Sequence, residues 1–151
     1  MNLAGKNKAV IQRMHEAMDR GGLLAQLDFW AEESLNHGYP STREVVRAIL
    51  ADIVTTFPDV KLKPIDLVAE GDWVVGRYTF SGTHKGVGRH PIVHEGLLAG
   101  VAPTGQRFEV QHIHMFRLKD GLIVEHWASR DDVEMMRQLG LLTPFAASAG
   151  K

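Results

Sequence analysis

The chain has 151 residues, 44% of them hydrophobic and 23% charged, which fits one globular domain with a core of its own. Lys and Arg number 17 against 18 Asp and Glu, and this near balance offers no electrostatic footprint for nucleic acid or an anionic membrane. Disulfides and thiolate chemistry are excluded by the absence of cysteine. No apolar run reaches the ~18 residues of a membrane span, and no signal segment is visible, so a cytoplasmic protein is expected.

Residues 5–20 read as a helix, because Val10, Met14, Ala17 and Met18 recur at helical spacing before Gly21-Gly22. Residues 23–32 predict a second, short helix with Leu23, Leu24, Leu27 and Trp30 on its apolar side, and residues 33–40 a loop. Ser41 and Glu44 have the spacing of a capping box, so a third helix is expected from there to Phe57, stopped by Pro58. The period then changes to two. Residues 60–69 read as a strand that Pro64 confines to an edge or a bulge. Glu70-Gly71-Asp72 is a turn, and residues 73–83 form the next strand. Residues 85–105, punctuated by Gly and Pro, are expected to be mostly loop. Strands follow at 107–118 and 122–129, then a short helix at 131–139 and a frayed tail from about 144 to 151. Helices first and antiparallel strands after predict an α+β fold, a curved sheet around the helices enclosing a pocket for a small hydrophobic molecule.

Eight histidines in so short a chain are the oddity of the composition. His112 and His114 share one face of a strand with Val110 and Phe116, and His126 lies in the next strand with Val124 and Ala128 on its face. A two-residue turn at Asp120-Gly121 would put His126 on the opposite face. A three-residue loop, favoured here, would set His114 against His126 and His112 against Ala128. Three imidazoles in a dry pocket stay neutral and can donate to a carbonyl oxygen or move a proton. Asp131 and Asp132, after Arg130, offer either a cap for the last helix or one carboxylate at the pocket rim facing the histidines, its pKa raised by burial unless Arg130 lies close. Trp30 and Phe116 are expected in the pocket wall. His90 and His94, in the loop, would reach the site only if the loop closed over it. Ile113, Met115, Ile123 and Trp127 form an apolar set on the other face, which suggests a homodimer.

Pro58-Asp59, Asp66-Leu67-Val68-Ala69-Glu70-Gly71-Asp72 and Gly82-Thr83-His84 with Gly86 resemble the SnoaL-like polyketide cyclase family. So do Ala102-Pro103-Thr104-Gly105, the run from Asp120 through Glu125-His126-Trp127, and Gln138-Leu139-Gly140. The resemblance covers residues from about 8 to 141, hence a single domain. It implies a cone-shaped barrel with helices inside and an aldol ring closure on polyketide esters without a cofactor. It places the family histidine on His114, its polar neighbour on His112 and the family aspartate on Ala128, which cannot take a proton. Asp131 matches a second acidic position and is the substitute candidate for moving the proton, with His112, opposite Ala128 in the favoured register, or His126 as alternatives. The ligand-binding set expected is Trp30, Phe116, Val110 and Ala128. The activity expected is cofactor-independent cyclase, isomerase or lyase chemistry on a small hydrophobic carbonyl compound, polyketide- or ester-like; two alternatives stand beside it, a binding protein without chemistry and a metal held by His112, His114 and His126.

Overall fold

The computed structural model describes residues 1–142; the tail expected to fray lies outside them. Helix α1 (Leu3–Gly21) starts where Asn2 accepts the Gly5 N–H at 2.8 Å and ends at Gly22, whose φ of 86° suits glycine. Its buried face carries Val10, Ile11, Met14 and Met18, with Asn7 and His15.

The next segment departs from the sequence reading. A 3₁₀ helix takes Leu23–Phe29, and the chain then extends into β1 (Trp30–Asn36) and β2 (Tyr39–Thr42). His37 (φ 52°) and Gly38 (φ 81°) form the tight hairpin turn between them. The strand was hidden because β1 pairs in parallel with a strand near the other end of the chain, a long-range contact that overrides local preference. Thr42, not Ser41, caps α2 (Arg43–Thr56) by accepting the Val45 N–H at 3.2 Å. Ser41 sits inside β2, opposite Ser34.

Strands β3 (Lys61–Glu70), β4 (Trp73–Thr83), β5 (Arg107–Lys119) and β6 (Leu122–Arg130) follow, then helix α3 (Asp132–Gln138). Pro64 lies on the edge strand β3, beside a register break before Asp66. The strand order is β2-β1-β6-β5-β4-β3, parallel between β1 and β6 and antiparallel elsewhere. The α+β class with a curved sheet stands. The barrel does not: β2 and β3 are free edges, and the sheet stays open. One core cluster joins α1 and α2 to β4, β5 and β6 through Ile11, Met14, Val46, Tyr78, Phe116 and Ile123. A second, with Phe57, Phe80, Phe108, Val110 and Met135, closes the other end. The segment between β4 and β5 is folded down on the body. The Lys85 and Gly86 N–H groups donate to the Thr56 carbonyl, and Val93, His94 and Leu98 are buried. No helix of the described residues is long and apolar enough to cross a membrane.

Candidate active site

Strands β5 and β6 carry the histidines, and their register differs from the one expected. Asp120 (φ 50°) and Gly121 (φ 78°) make a two-residue turn, with Lys119 opposite Leu122 and Leu118 opposite Ile123. That register alone would turn His126 away from His114. A bulge reverses it: Arg117 pairs with Glu125, which leaves Val124 as an extra residue on β6 and flips the side-chain parity beyond it. Phe116 therefore opposes His126, His114 opposes Ala128 and His112 opposes Arg130. The three imidazoles share one face, as expected, but through a bulge rather than a longer loop. The same bulge buries Ile123 completely, so it does not join Ile113 and Trp127 on the outer face.

The rings are joined end to end. His112 Nδ1 lies 3.2 Å from His114 Nε2, and His114 Nδ1 lies 2.8 Å from His126 Nε2. The parallel pairing of β1 sets Asn36 beside His126, with Oδ1 3.0 Å from Nδ1. An amide oxygen only accepts, so His126 carries its proton on Nδ1 and must accept at Nε2. His114 and then His112 are forced into the same tautomer. The string ends at His112 Nε2, a buried lone pair without a protein partner. Turning the Asn36 amide over moves all three protons to Nε2, and His112 then presents an N–H. The string thus has two proton arrangements, and His112 accepts in one and donates in the other.

Burial keeps the string uncharged. His112 and His126 are each pushed down to about 3, by desolvation first and the Arg130 charge second. Desolvation, with the neighbouring His126 and His112, pushes His114 well below the ordinary imidazole range. His15, whose Nε2 meets the Tyr78 hydroxyl at 2.9 Å, is lowered by burial to about 4. These shifts have a consequence for stability. In the unfolded chain each imidazole binds a proton below a pKa of about 6.5. The folded protein refuses those protons down to about 4 at His15 and about 3 at His112 and His126. Stability is therefore full above about pH 6.5 and falls as pH drops, by up to ~1.4 kcal/mol per unit and per histidine. Denaturant titrations at about pH 7, 6, 5 and 4 should show a steady loss; an unchanged midpoint down to pH 4 would contradict it.

The string ends in a cavity of about 510 Å³ between the sheet, α2 and the loop at Pro91–His94. That volume suits a small organic molecule. Trp30 and Phe116 line it, as expected, together with His112, His114, His126 and Arg130; Val46, Ile49 and Ile53 of α2 form the facing wall. Val110 and Ala128, expected as ligand contacts, do not line it. Val110 packs in the second core cluster, and the Ala128 N–H donates to His37 Nε2 at 3.2 Å. Asp131 is not at the cavity either: exposed, it caps α3 by accepting the Glu134 N–H. The carboxylate that turns inward is Asp132, 2.9 Å from His94 Nδ1. Burial pushes the Asp132 carboxyl up, but the hydrogen bond with His94 and the nearby Arg130 charge outweigh it and leave it below the usual range.

His126 has both ring nitrogens engaged, so it acts within the string and not as a free base. A three-histidine metal site would need lone pairs converging on one point. Here the rings form a line, and four of their nitrogens are occupied between rings. Among the described residues no group of three His, Asp or Glu is placed to hold an ion. Sequence reading missed Asn36, took Arg130 only as a charge opposing a carboxylate at the rim, chose Asp131 rather than Asp132 of the adjacent acids, and left His94 conditional on loop closure. Only the pairing of Asp131 with Asp132 was a visible signal, since one of two adjacent acids at a helix start faces inward.

The sequence pattern of the SnoaL-like polyketide cyclases matches residues 8–139. The aklanonic acid methyl ester cyclase AcmA of Streptomyces galilaeus is 30% identical over 138 residues, covering 87% of this chain and 89% of the relative. The nogalonic acid methyl ester cyclase of Streptomyces nogalater is 28% identical over 114 residues, 75% of this chain and 78% of its own. The solved structure of TsrD from Streptomyces laurentii superposes with a TM-score of 0.71 at 33% identity, over 89% of this chain and 97% of that one. A family pattern spanning nearly the whole described chain, with the same fold in a solved relative, settles the membership: this chain belongs to the SnoaL-like polyketide cyclase family.

Proposed function

We propose that the protein closes a ring in a polyketide-type methyl ester by acid–base chemistry of its own side chains, without a cofactor. The observation that carries this reading is the uncharged histidine string ending at His112 in a largely apolar cavity. Histidines held neutral are poor bases but good donors: a neutral imidazole N–H polarises a carbonyl without giving up its proton outright. A substrate carbonyl oxygen placed against His112 favours the arrangement in which Nε2 carries hydrogen, because only that arrangement donates. His114, His126 and Asn36 are positioning residues that fix the donor and its ring plane. Arg130 lines the same cavity and supplies positive charge where an enolate oxygen develops. Trp30, Phe116 and the α2 side chains exclude water from that charge. The substrate class comes from the methyl esters named for the curated relatives.

The test is incubation of the chelator-dialysed protein with aklanonic acid methyl ester, followed by chromatography and mass spectrometry. The expected result is a new species of unchanged mass, since an aldol closure is an isomerisation. Saturable binding with no new species would instead make this a binding protein.

A further inference from the structure

The histidine string supplies a donor and leaves the proton abstraction without an owner. Ala128 has no titratable group, Asp131 points to solvent as a cap, and His126 has no free nitrogen. Among the described residues one further buried imidazole lines the cavity. His94 lines it, is 4% exposed, and holds Asp132 Oδ1 at 2.9 Å through Nδ1. Its Nε2 is buried without a protein partner. The His94 and His112 rings lie 6.5 Å apart between centroids, so two unpartnered Nε2 atoms serve one cavity. The ring is fixed by Phe57 and Phe80, at 6.0 and 5.7 Å. The backbone at His94 has φ 47°, a left-handed conformation that a non-glycine residue adopts only where the surroundings impose it. The charged and titratable groups acting on this pair are His112 from β5 and Arg130 from β6.

We infer that His94, backed by Asp132, is the general base of the ring closure and a catalytic residue of this site; the inference rests on the reaction proposed for the cavity. Asp132 fixes the proton on Nδ1, which leaves the Nε2 lone pair for substrate and stabilises the imidazolium once it forms. In the first step Nε2 takes a proton from carbon alpha to a carbonyl. The C–H bond breaks, an N–H bond forms, and the electron pair moves onto the carbonyl oxygen beside His112. The enolate carbon then attacks a second carbonyl of the same molecule. A C–C bond forms, the C=O π bond breaks, and the resulting alkoxide takes its proton from His94 Nε2. Nothing is oxidised or reduced, and both residues return to their starting state. Asp132 is a positioning residue in this scheme, since it acts through His94.

The experiment compares wild type, His94→Gln and Asp132→Asn with aklanonic acid methyl ester, alongside nitrogen NMR of the histidines. Circular dichroism checks that each variant folds. The expected results are a kcat lowered about 10²–10⁴-fold in both variants with KM nearly unchanged. In wild type the His94 proton sits on Nδ1. In Asp132→Asn it moves to Nε2, because the new amide can donate to Nδ1, a change that a merely structural role would not produce. Turnover retained in His94→Gln, or a proton on Nε2 in wild type, overturns the assignment while ring closure itself stands. No ring closure by the folded wild type overturns the proposed reaction and the base assignment with it.

Discussion

Replacing His112 by Phe is expected to lower kcat/KM for a polyketide ester by about 10²–10³-fold, the loss typical of removing one donor from an oxyanion site. The substitution tests chemistry more than packing. His112 already packs, tilted, against Phe80 with centroids 4.4 Å apart, so a phenyl ring fits the same slot. It leaves His114 Nε2 without its partner, at a cost of about 1–3 kcal/mol in stability. A companion His112→Gln variant, which keeps a donor at nearly the same reach, should recover part of the rate. A His112→Phe enzyme within threefold of wild type would show that the string's end does not touch the reacting oxygen.

Replacing Phe57 by Ala is expected to remove about 3–5 kcal/mol of stability, the range for deleting a fully buried aromatic ring. Phe57 has no exposed surface and meets Phe80, Phe108, His84 and His94 at centroid distances from 4.8 to 6.2 Å. A domain of this size holds roughly 5–15 kcal/mol in all. About 4 kcal/mol lost should lower the melting temperature by roughly 8–16 °C. Because the ring also braces His94, kcat should fall even at temperatures where the variant remains folded. A shift of less than about 1 kcal/mol would mean that the second core cluster collapses around the gap.

Local patterns were legible where local chemistry decides. The α1 and α2 stripes, the stop at Pro58 and the edge position of Pro64 were all readable from spacing and residue type. Period two placed His112 and His114 on one face. The failures share a cause, which is that the deciding contact lies far away in sequence. Residues 30–36 carry Glu32 and Glu33 and read as the end of a helix and a loop, yet they extend because β6 pairs with them. Without that strand Asn36 has no place, and the end of the string that fixes its tautomers was invisible. The bulge at Val124 has no signature of its own residue type. It was forced by a tight turn at Asp120-Gly121 together with the need to bury both Ile123 and His126. His94 was discounted because Pro91 and the glycines argue against the helix that its spacing from His90 would need. The segment makes a short 3₁₀ turn, Val93–Gly96, and brings His94 to the cavity with a left-handed backbone, which sequence alone does not mark.

The histidine string stays uncharged, with its ring protons all on the same kind of nitrogen in either arrangement, and nitrogen NMR of the imidazoles reads this directly. At about pH 6, below the ordinary imidazole pKa of about 6.5, His112, His114 and His126 should each carry one ring proton. All three should carry it on the same kind of nitrogen. A second ring proton on any of the three, or a mixture of Nδ1–H and Nε2–H among them, would contradict the wired string and with it the donor role of His112.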